Sequence, residues 1–81
     1  MQKILQNSYI GANIQKIRKS RGYTQEETVA GLQLLGSPIQ RGVYSQIEVG
    51  NLNVFVSDLV AMQQFFNVDY SEFFKDIPTS R

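Results

Sequence analysis

The 81-residue chain has room for one small domain, and its composition is that of an ordinary globular protein. Hydrophobic residues make up 42% and charged residues 19%, which argues against both a disordered tail and a membrane span. Cysteine and histidine are absent, which excludes disulfides, zinc fingers, thiol nucleophiles and imidazole bases. We therefore expect one domain over residues 1–81, with its core at about 8–77, that is not an enzyme and needs no metal or other cofactor.

The beginning of the chain, MQKILQNSYI, lacks the apolar run of about 7–15 residues found in secretory signals. No stretch approaches the ~18 consecutive apolar residues of a transmembrane helix. The expected location is the cytoplasm, without a membrane partner.

The small net charge hides an uneven distribution along the chain. The formal net charge is +1, but residues 1–41 hold six Lys and Arg against two Glu, and residues 42–81 hold two Lys and Arg against five Asp and Glu. The two parts therefore carry +4 and −3, so the N-terminal part can face a polyanion such as a nucleic acid. A solvated, charged helix end is the alternative explanation.

The apolar spacing predicts two helices in the first part of the chain. One runs from about Ser8 to Arg21 with an isoleucine stripe, and Gly22 supplies its left-handed C-terminal stop. The second begins after a TQEE capping box at Thr24 and ends before Pro38, which disfavours helical geometry in its predecessor. The inward residues are Ile10, Ile14, Ile17, Val29, Leu32 and Leu35.

A third helix over residues 41–49 has one apolar side and one polar side. Its apolar side gathers Val43, Tyr44 and Ile47 at helical spacing. The other side carries short-chained, polar and nearly uncharged residues, a composition suited to recognition rather than to simple solvation. This outer side consists of Arg41, Gly42, Ser45, Gln46 and Val49.

Two further helices complete the prediction. Ser57 or Asp58 is expected to cap a fourth helix, and a capping-box spacing from Asp69 to Glu72 is expected to start a fifth, with Phe73 in the core. Residues 54–56 are predicted to be a connection plugged into the core rather than a strand.

Two successive helices with a capped start, a glycine-containing break and a polar outward face on the second are the organisation of a helix-turn-helix. The residues IGANIQKIRKSRGYTQEE, followed by YSQIEVGN, resemble the Cro/repressor-type helix-turn-helix family, also called the XRE (xenobiotic-response-element) family, of bacterial and phage DNA-binding regulators. The similarity extends from about Ile10 to Phe74. The stretch LLGSPIQ at 34–40 departs from the pattern, because it is longer than the usual turn of about 3–4 residues.

The resemblance implies an all-α, compact five-helix, lambda-repressor-like DNA-binding domain whose helix-turn-helix is formed by helices 2 and 3. It also implies a sequence-specific transcriptional regulator, a repressor, that binds double-stranded DNA as a homodimer and reads the major groove with helix 41–49. The alternative is a helical protein-interaction module that keeps the fold without specific DNA binding. Because no separate sensor domain fits in 81 residues, a small-molecule effector is not expected.

The same resemblance assigns base-reading positions to the third helix. Arg41 is expected to contact a guanine through O6 and N7, or else a phosphate, and Gln46 is expected to contact an adenine or to remain solvated. The complete set implied for this surface is Gln40, Arg41, Gly42, Ser45 and Gln46.

Phosphate contacts are implied elsewhere. Gln25 matches a family glutamine that binds a phosphate at the start of the second helix, where the helix dipole favours anions, with an ordinary exposed helix-start residue as the alternative. Asn51 and Asn53 match phosphate-contacting positions, with loop capping as the alternative. The basic residues near the end of the first helix can reach phosphates or remain solvated; they are Lys16, Lys19 and Arg21.

The remaining implied positions are structural. Arg18 and Glu48 resemble a partly buried family ion pair that ties the first helix to the recognition helix, where each charge satisfies the other. A small apolar patch near the C-terminus, formed by Tyr70, Phe74 and Ile77, is the expected dimer face.

Overall fold

The computed structural model describes residues 3–4 and 8–79, and these residues form four α-helices, one 3-10 helix and two short strands. In chain order they are strand β1 (Lys3–Ile4), helices α1 (Ser8–Ser20), α2 (Gln25–Leu34) and α3 (Arg41–Glu48), strand β2 (Val54–Phe55), helix α4 (Val56–Phe66) and a 3-10 helix (Tyr70–Phe74). The predicted all-α class is confirmed, whereas the predicted count of five α-helices is wrong.

The last predicted helix is a 3-10 helix of five residues, and the capping box at its start does not form, since Asp69 makes no side-chain cap bond. Two features prevent a longer helix. The side-chain amide of Asn13 in α1 donates to the carbonyl oxygens of Phe73 and Lys75 at 3.0 and 2.9 Å. Pro78 disfavours helical geometry in the residue before it. The segment therefore remains a short 3-10 helix that packs against α1.

The predicted absence of strands is also wrong at residues 54–55. These two residues pair antiparallel with residues 3–4, with Phe55 opposite Lys3 and Val54 opposite Ile4. A two-residue strand carries too little alternation to be recognised by its pattern. The side chain of Val54 is nevertheless buried, as predicted for a connection that packs into the core.

Helix α4 begins at Val56, with Phe55 at its N-cap and no side-chain cap bond, so the predicted caps are wrong. Asp58 is buried instead, and its Oδ1 accepts the hydroxyl of Ser37 at 2.8 Å. The carboxylate is thus used to hold the α2–α3 connection. Ser57 lies within the first turn of α4 and is exposed.

The hydrophobic core lies between the four helices, and most of the predicted inward residues are buried in it. Leu35 and Val43 are exceptions, at 47% and 45% exposed. Leu35 lies just after the last residue of α2. Helix α3 packs on the core through Tyr44, Ile47 and Glu48, because the ion pair with Arg18 draws Glu48 inward, and Val43 is therefore left exposed. The predicted inward residues that are buried are Ile10, Ile14, Ile17, Val29, Leu32, Tyr44, Ile47 and Phe73, and helix α4 adds Leu59, Met62 and Phe66 to the core.

The long connection between α2 and α3 is held by specific hydrogen bonds. The Ser37 hydroxyl accepts the amide of Ile39 at 3.2 Å while it donates to Asp58. Gln33 in α2 donates through Nε2 to the carbonyl oxygen of Ile39 at 2.8 Å, and the Ile39 side chain is buried. These bonds determine where α3 begins relative to α2 and α4.

Among the described residues, no helix has the length and apolar character needed to cross a bilayer.

A close approach of α1 to α3 gives a stability prediction at Gly11. A Cβ at this position would overlap the carbonyl oxygen of Ile47 and lie 2.7 Å from that of Glu48. We expect Gly11→Ala to lower the free energy of unfolding by about 1–3 kcal/mol, because the two helices must move apart. Gly42→Ala in α3 is the matched control, since its Cβ meets nothing within 4 Å, and it should melt at or above the wild-type temperature. Equal thermal midpoints for the two variants would contradict the close approach.

Candidate nucleic-acid interface

Helices α2 and α3 present a polar surface whose centre is the outer face of α3. This helix has eight residues, about 12 Å at 1.5 Å per residue. Gln40 lies at its N-cap in an extended conformation, without a side-chain cap bond. The side chains of Arg41 and Gln46 are exposed, Gly42 between them is open to solvent, and Ser45 is half-buried. The predicted outer face is therefore accessible along its whole length.

At the start of α3, Arg41 is joined to the first turn of α2. Its Nε donates to Oε1 of Gln25 at 3.3 Å, and its Nη1 lies 3.0 Å from Oε1 of Glu26. Both members of the ion pair are exposed, at 53% for Arg41 and 80% for Glu26. Gln25 also donates through Nε2 to Oε1 of Glu48 at 3.0 Å, so this residue bridges the two helices.

The end of α3 carries a second group of predicted site residues. Gln46 accepts through Oε1 from Nδ2 of Asn51 at 2.9 Å. Ser45 donates to the carbonyl oxygen of Gly42 at 2.9 Å, within the helix. The structure therefore brings Gln25 together with Arg41, and Gln46 together with Asn51, at opposite ends of one face.

Other predicted residues, among them Asn53, Gln40 and Lys19, lie outside these two groups. Asn53 is half-buried, and its Oδ1 has no hydrogen-bond partner among the described residues. With Gln40 it lines a cavity of about 190 Å³ beside α3, together with Val43 and Phe55. Lys19 is exposed in the last turn of α1 and forms no ion pair in the part of the chain that the structure describes.

Arg21, just after the end of α1, forms hydrogen bonds that the sequence did not predict. Its Nε and Nη2 donate to the carbonyl oxygens of Phe66 and Asn67 at 2.9 and 3.0 Å. Asn67 has a positive φ of 56° at the end of α4, where carbonyl groups lack partners within the helix. The guanidinium therefore caps α4, which makes Arg21 a poor candidate for a phosphate contact.

The sequence reasoning missed two residues of this surface, Glu26 and Val43. The capping box commits Glu27 to Thr24 and leaves Glu26 available, but only the packing of α2 against α3 brings Glu26 to Arg41. Val43 was assigned to the wrong side of α3, as described above. A prediction that took positions 44, 47 and 48 as the buried side of α3 would have left Val43 exposed, but it would also have required a buried acidic residue at position 48.

The Arg18–Glu48 pair lies directly beneath this surface. Arg18 Nε is 2.7 Å from Glu48 Oε2, and Arg18 Nη2 donates to Oε1 at 3.1 Å, a bidentate arrangement. The side chains are 10% and 0% exposed. Gln15 and Gln25 also donate to Glu48 Oε1, and the remaining guanidinium nitrogen of Arg18 donates to the carbonyl oxygen of Tyr23. Every oxygen of the carboxylate is satisfied, as a buried charge requires.

These contacts shift the pKa values of the groups involved. Burial would raise the pKa of Glu48, but the hydrogen bonds from Arg18 and Gln25 and the positive charge of Arg18 outweigh it and hold that pKa below its usual value. The hydrogen bond to Glu48 raises the pKa of Arg18 against the effect of burial. Burial, reinforced by the Glu48 carboxylate, raises the pKa of the Tyr44 hydroxyl far above its ordinary value. The pair therefore stays ionised, and Tyr44 stays neutral, at neutral pH.

The lowered pKa of Glu48 predicts a loss of stability in acid. The stabilising contribution is present in full above the ordinary carboxyl pKa of 4.5 and declines as the pH falls through the lower, folded-state value. We expect thermal midpoints of the wild type and Glu48→Gln, measured from pH 7 to about pH 2, to converge below about pH 4.5. A gap that stays constant over this range would show that Glu48 does not titrate with the fold.

Tyr70 and Phe74 are 44% and 45% exposed at the end of the fold. Ile77 is half-buried and packs against the core, so it contributes less free surface than the other two members of the expected dimer face. Within the described residues, no cluster of three or more acidic side chains is suited to holding a metal ion.

No protein-family model and no curated protein matches the chain. Among solved structures, the fold is similar to the high-resolution crystal structure of the restriction-modification controller protein C.AhdI from Aeromonas hydrophila. The TM-score is 0.72, the sequence identity is 18%, and the match covers 83% of this chain and 94% of that chain. A match of this extent shows that the two chains share one helical arrangement. At this identity, the similarity is one of fold.

Proposed function

We propose that this protein is a sequence-specific, DNA-binding transcriptional regulator of the Cro/repressor (XRE) type, with a lambda-repressor-like domain. The observation that supports this best is the contact between Gln25, at the start of α2, and Arg41, at the start of α3. Gln46 is exposed five residues further along the same helix. The fold it shares with a restriction-modification controller protein supports the same function.

The dimensions of α3 suit the major groove. The groove is about 12 Å wide and accepts an α-helix. Arg41 and Gln46 are five residues apart, about 7.5 Å of helix rise, which corresponds to about two base pairs along one strand. Arg41 is proposed to bind a guanine through O6 and N7, and Gln46 an adenine through N6 and N7.

The contact with Asn51 orients the side chain of Gln46 and still allows it to bind adenine. Its Oε1 accepts from Asn51 in the free protein, and paired contact with adenine uses both the oxygen and the nitrogen of the amide. Because an amide oxygen has two lone pairs, Oε1 can accept from Asn51 and from adenine N6 at the same time. The second N–H of Asn51 Nδ2 can then donate to a phosphate.

Charged phosphate contacts are few on this surface. Arg18 is committed to Glu48, and Arg21 caps α4. Lys16 lines a pocket with Glu72 and Asp76 near the C-terminus, which leaves Lys19 as the exposed cation at the end of α1. The remaining phosphate contacts come from neutral donors, including backbone amides at the start of α2 and the proposed residues Gln25, Asn51 and Asn53. We therefore propose a modest dependence of affinity on salt, with a slope of about −0.9 for each charged contact.

A homodimer that reads two half-sites is the proposed binding form, since one eight-residue helix covers only a few base pairs. The proposed interface uses the exposed rings of Tyr70 and Phe74, with Ile77 at its edge. Repression in the cytoplasm, by occupation of a promoter without a small-molecule effector, completes the proposal.

The experiment that tests the proposal is selection of bound duplexes from a random DNA library, followed by titration of the best duplex at two salt concentrations. An enriched, roughly palindromic site whose affinity falls with salt is the expected result. No enrichment at low salt would overturn the proposal in favour of the protein-interaction module.

A further inference from the structure

We propose that Glu26 is a specificity-determining residue, which keeps Arg41 from binding phosphates and so reserves it for a base. This inference rests on the DNA-binding function proposed above. It arises from the exposed ion pair at the start of α3, in which the acidic partner lies on the proposed DNA-facing side of α2.

The contacts of Arg41 leave part of its guanidinium free. Nε is bonded to Gln25 and Nη1 to Glu26, and Nη2 has no hydrogen bond among the described residues. A guanidinium has five N–H groups, so two on Nη2 and one on Nη1 remain as a fork. A fork of this kind can meet the O6 and N7 atoms of guanine while the ion pair is retained.

A phosphate and a guanine differ in charge, and the carboxylate of Glu26 responds to that difference. A phosphate that approaches Arg41 meets a group whose charge is already balanced, and it is repelled by the carboxylate 3.0 Å from Nη1. The guanine edge presents neutral acceptors, which are not repelled in this way. The ion pair therefore weakens phosphate binding by Arg41 more than guanine binding.

The neighbouring acidic residue provides a matched control. The carboxylate of Glu27 accepts the backbone amide of Thr24 at 2.8 Å, and the Glu27 amide donates to the Thr24 hydroxyl, a complete capping box. Glutamine is accepted at this position of a capping box, so Glu27→Gln removes one charge from the same helical turn and keeps the cap. Of the two glutamates, only Glu26 contacts Arg41.

The test titrates the wild type, Glu26→Gln and Glu27→Gln against the selected duplex and against a duplex of scrambled sequence. We expect Glu26→Gln to tighten binding to the scrambled duplex about two- to fivefold more than Glu27→Gln does, the range of an exposed ion pair. Binding to the selected duplex should change less, so the ratio of specific to non-specific affinity falls. In the Arg41→Ala background, the two glutamine variants should behave alike, because the effect of Glu26 acts through Arg41.

Three results separate the possible failures. Equal effects of the two glutamine variants on a wild type that binds DNA would overturn the role of Glu26 and leave the DNA-binding function intact. Weaker binding of Glu26→Gln to the selected duplex, without tighter binding to the scrambled one, would also overturn it, because it would make Glu26 a support for Arg41. Failure of the wild type to bind either duplex at low salt would overturn the proposed function and this inference with it.

Discussion

Replacing Glu48 by alanine is expected to lower the free energy of unfolding by about 3–5 kcal/mol, measured by urea or thermal denaturation. The substitution leaves the guanidinium of Arg18, only 10% exposed, without its carboxylate. It also removes the acceptor of Gln15 and Gln25, so three side chains lose four hydrogen bonds at once. A domain of this size has a total stability of about 4–12 kcal/mol, so the variant is expected to lose a quarter or more of it and to melt well below the wild type.

Two comparisons make this result specific to the ion pair. Glu72→Ala removes an exposed carboxylate from the 3-10 helix and should melt like the wild type. Glu48→Gln keeps the side-chain volume and one acceptor oxygen, and should fall between the wild type and Glu48→Ala. At a low temperature where Glu48→Ala remains folded, its preference for the selected DNA site should be that of the wild type. A melting curve of Glu48→Ala that coincides with that of Glu72→Ala would contradict the importance of the pair.

Replacing Arg41 by alanine is expected to weaken binding to the selected duplex by about one to two orders of magnitude, the loss of a bidentate contact with guanine. Stability should hardly change, because the hydrogen bonds of Arg41 are exposed. Lys75→Ala is the control, since it removes one positive charge from an exposed side chain that follows the 3-10 helix.

The dependence on salt distinguishes the two contacts proposed for Arg41. Loss of a phosphate contact should reduce the slope of log affinity against log salt by about 1 and weaken binding to all sequences alike. Loss of a guanine contact should leave the slope unchanged and relax the preference at one base pair. Binding by Arg41→Ala equal to that by Lys75→Ala would remove Arg41 from the interface.

The periodicity of the chain was sufficient to predict the four α-helices and most of the core. The isoleucine stripe of α1, the capping box at Thr24 and the left-handed Gly22 were all predicted, and the structure confirms them. These features depend on residues within one or two turns of each other, where spacing and side-chain chemistry act locally.

The errors occurred where distant residues compete with a local preference. Asp58 has the chemistry of a helix cap but bonds to Ser37 in the α2–α3 connection, 21 residues away. Asp69 begins a capping-box pattern, yet the segment ends as a 3-10 helix because Asn13 binds two of its carbonyl groups from another helix. A long-range hydrogen bond is not encoded in the spacing of either segment, so no local pattern could predict these outcomes.

The candidate interface divides in the same way. Helical spacing alone was enough to predict the polar face of α3, because it puts Arg41 and Gln46 on the exposed side. The packing of the helices, in contrast, determines that Arg21 caps α4, that Val43 is exposed and that Glu26 reaches Arg41. Which side chain reaches which partner depends on how α1, α2, α3 and α4 pack, and that packing is set by the whole core and the buried ion pair together.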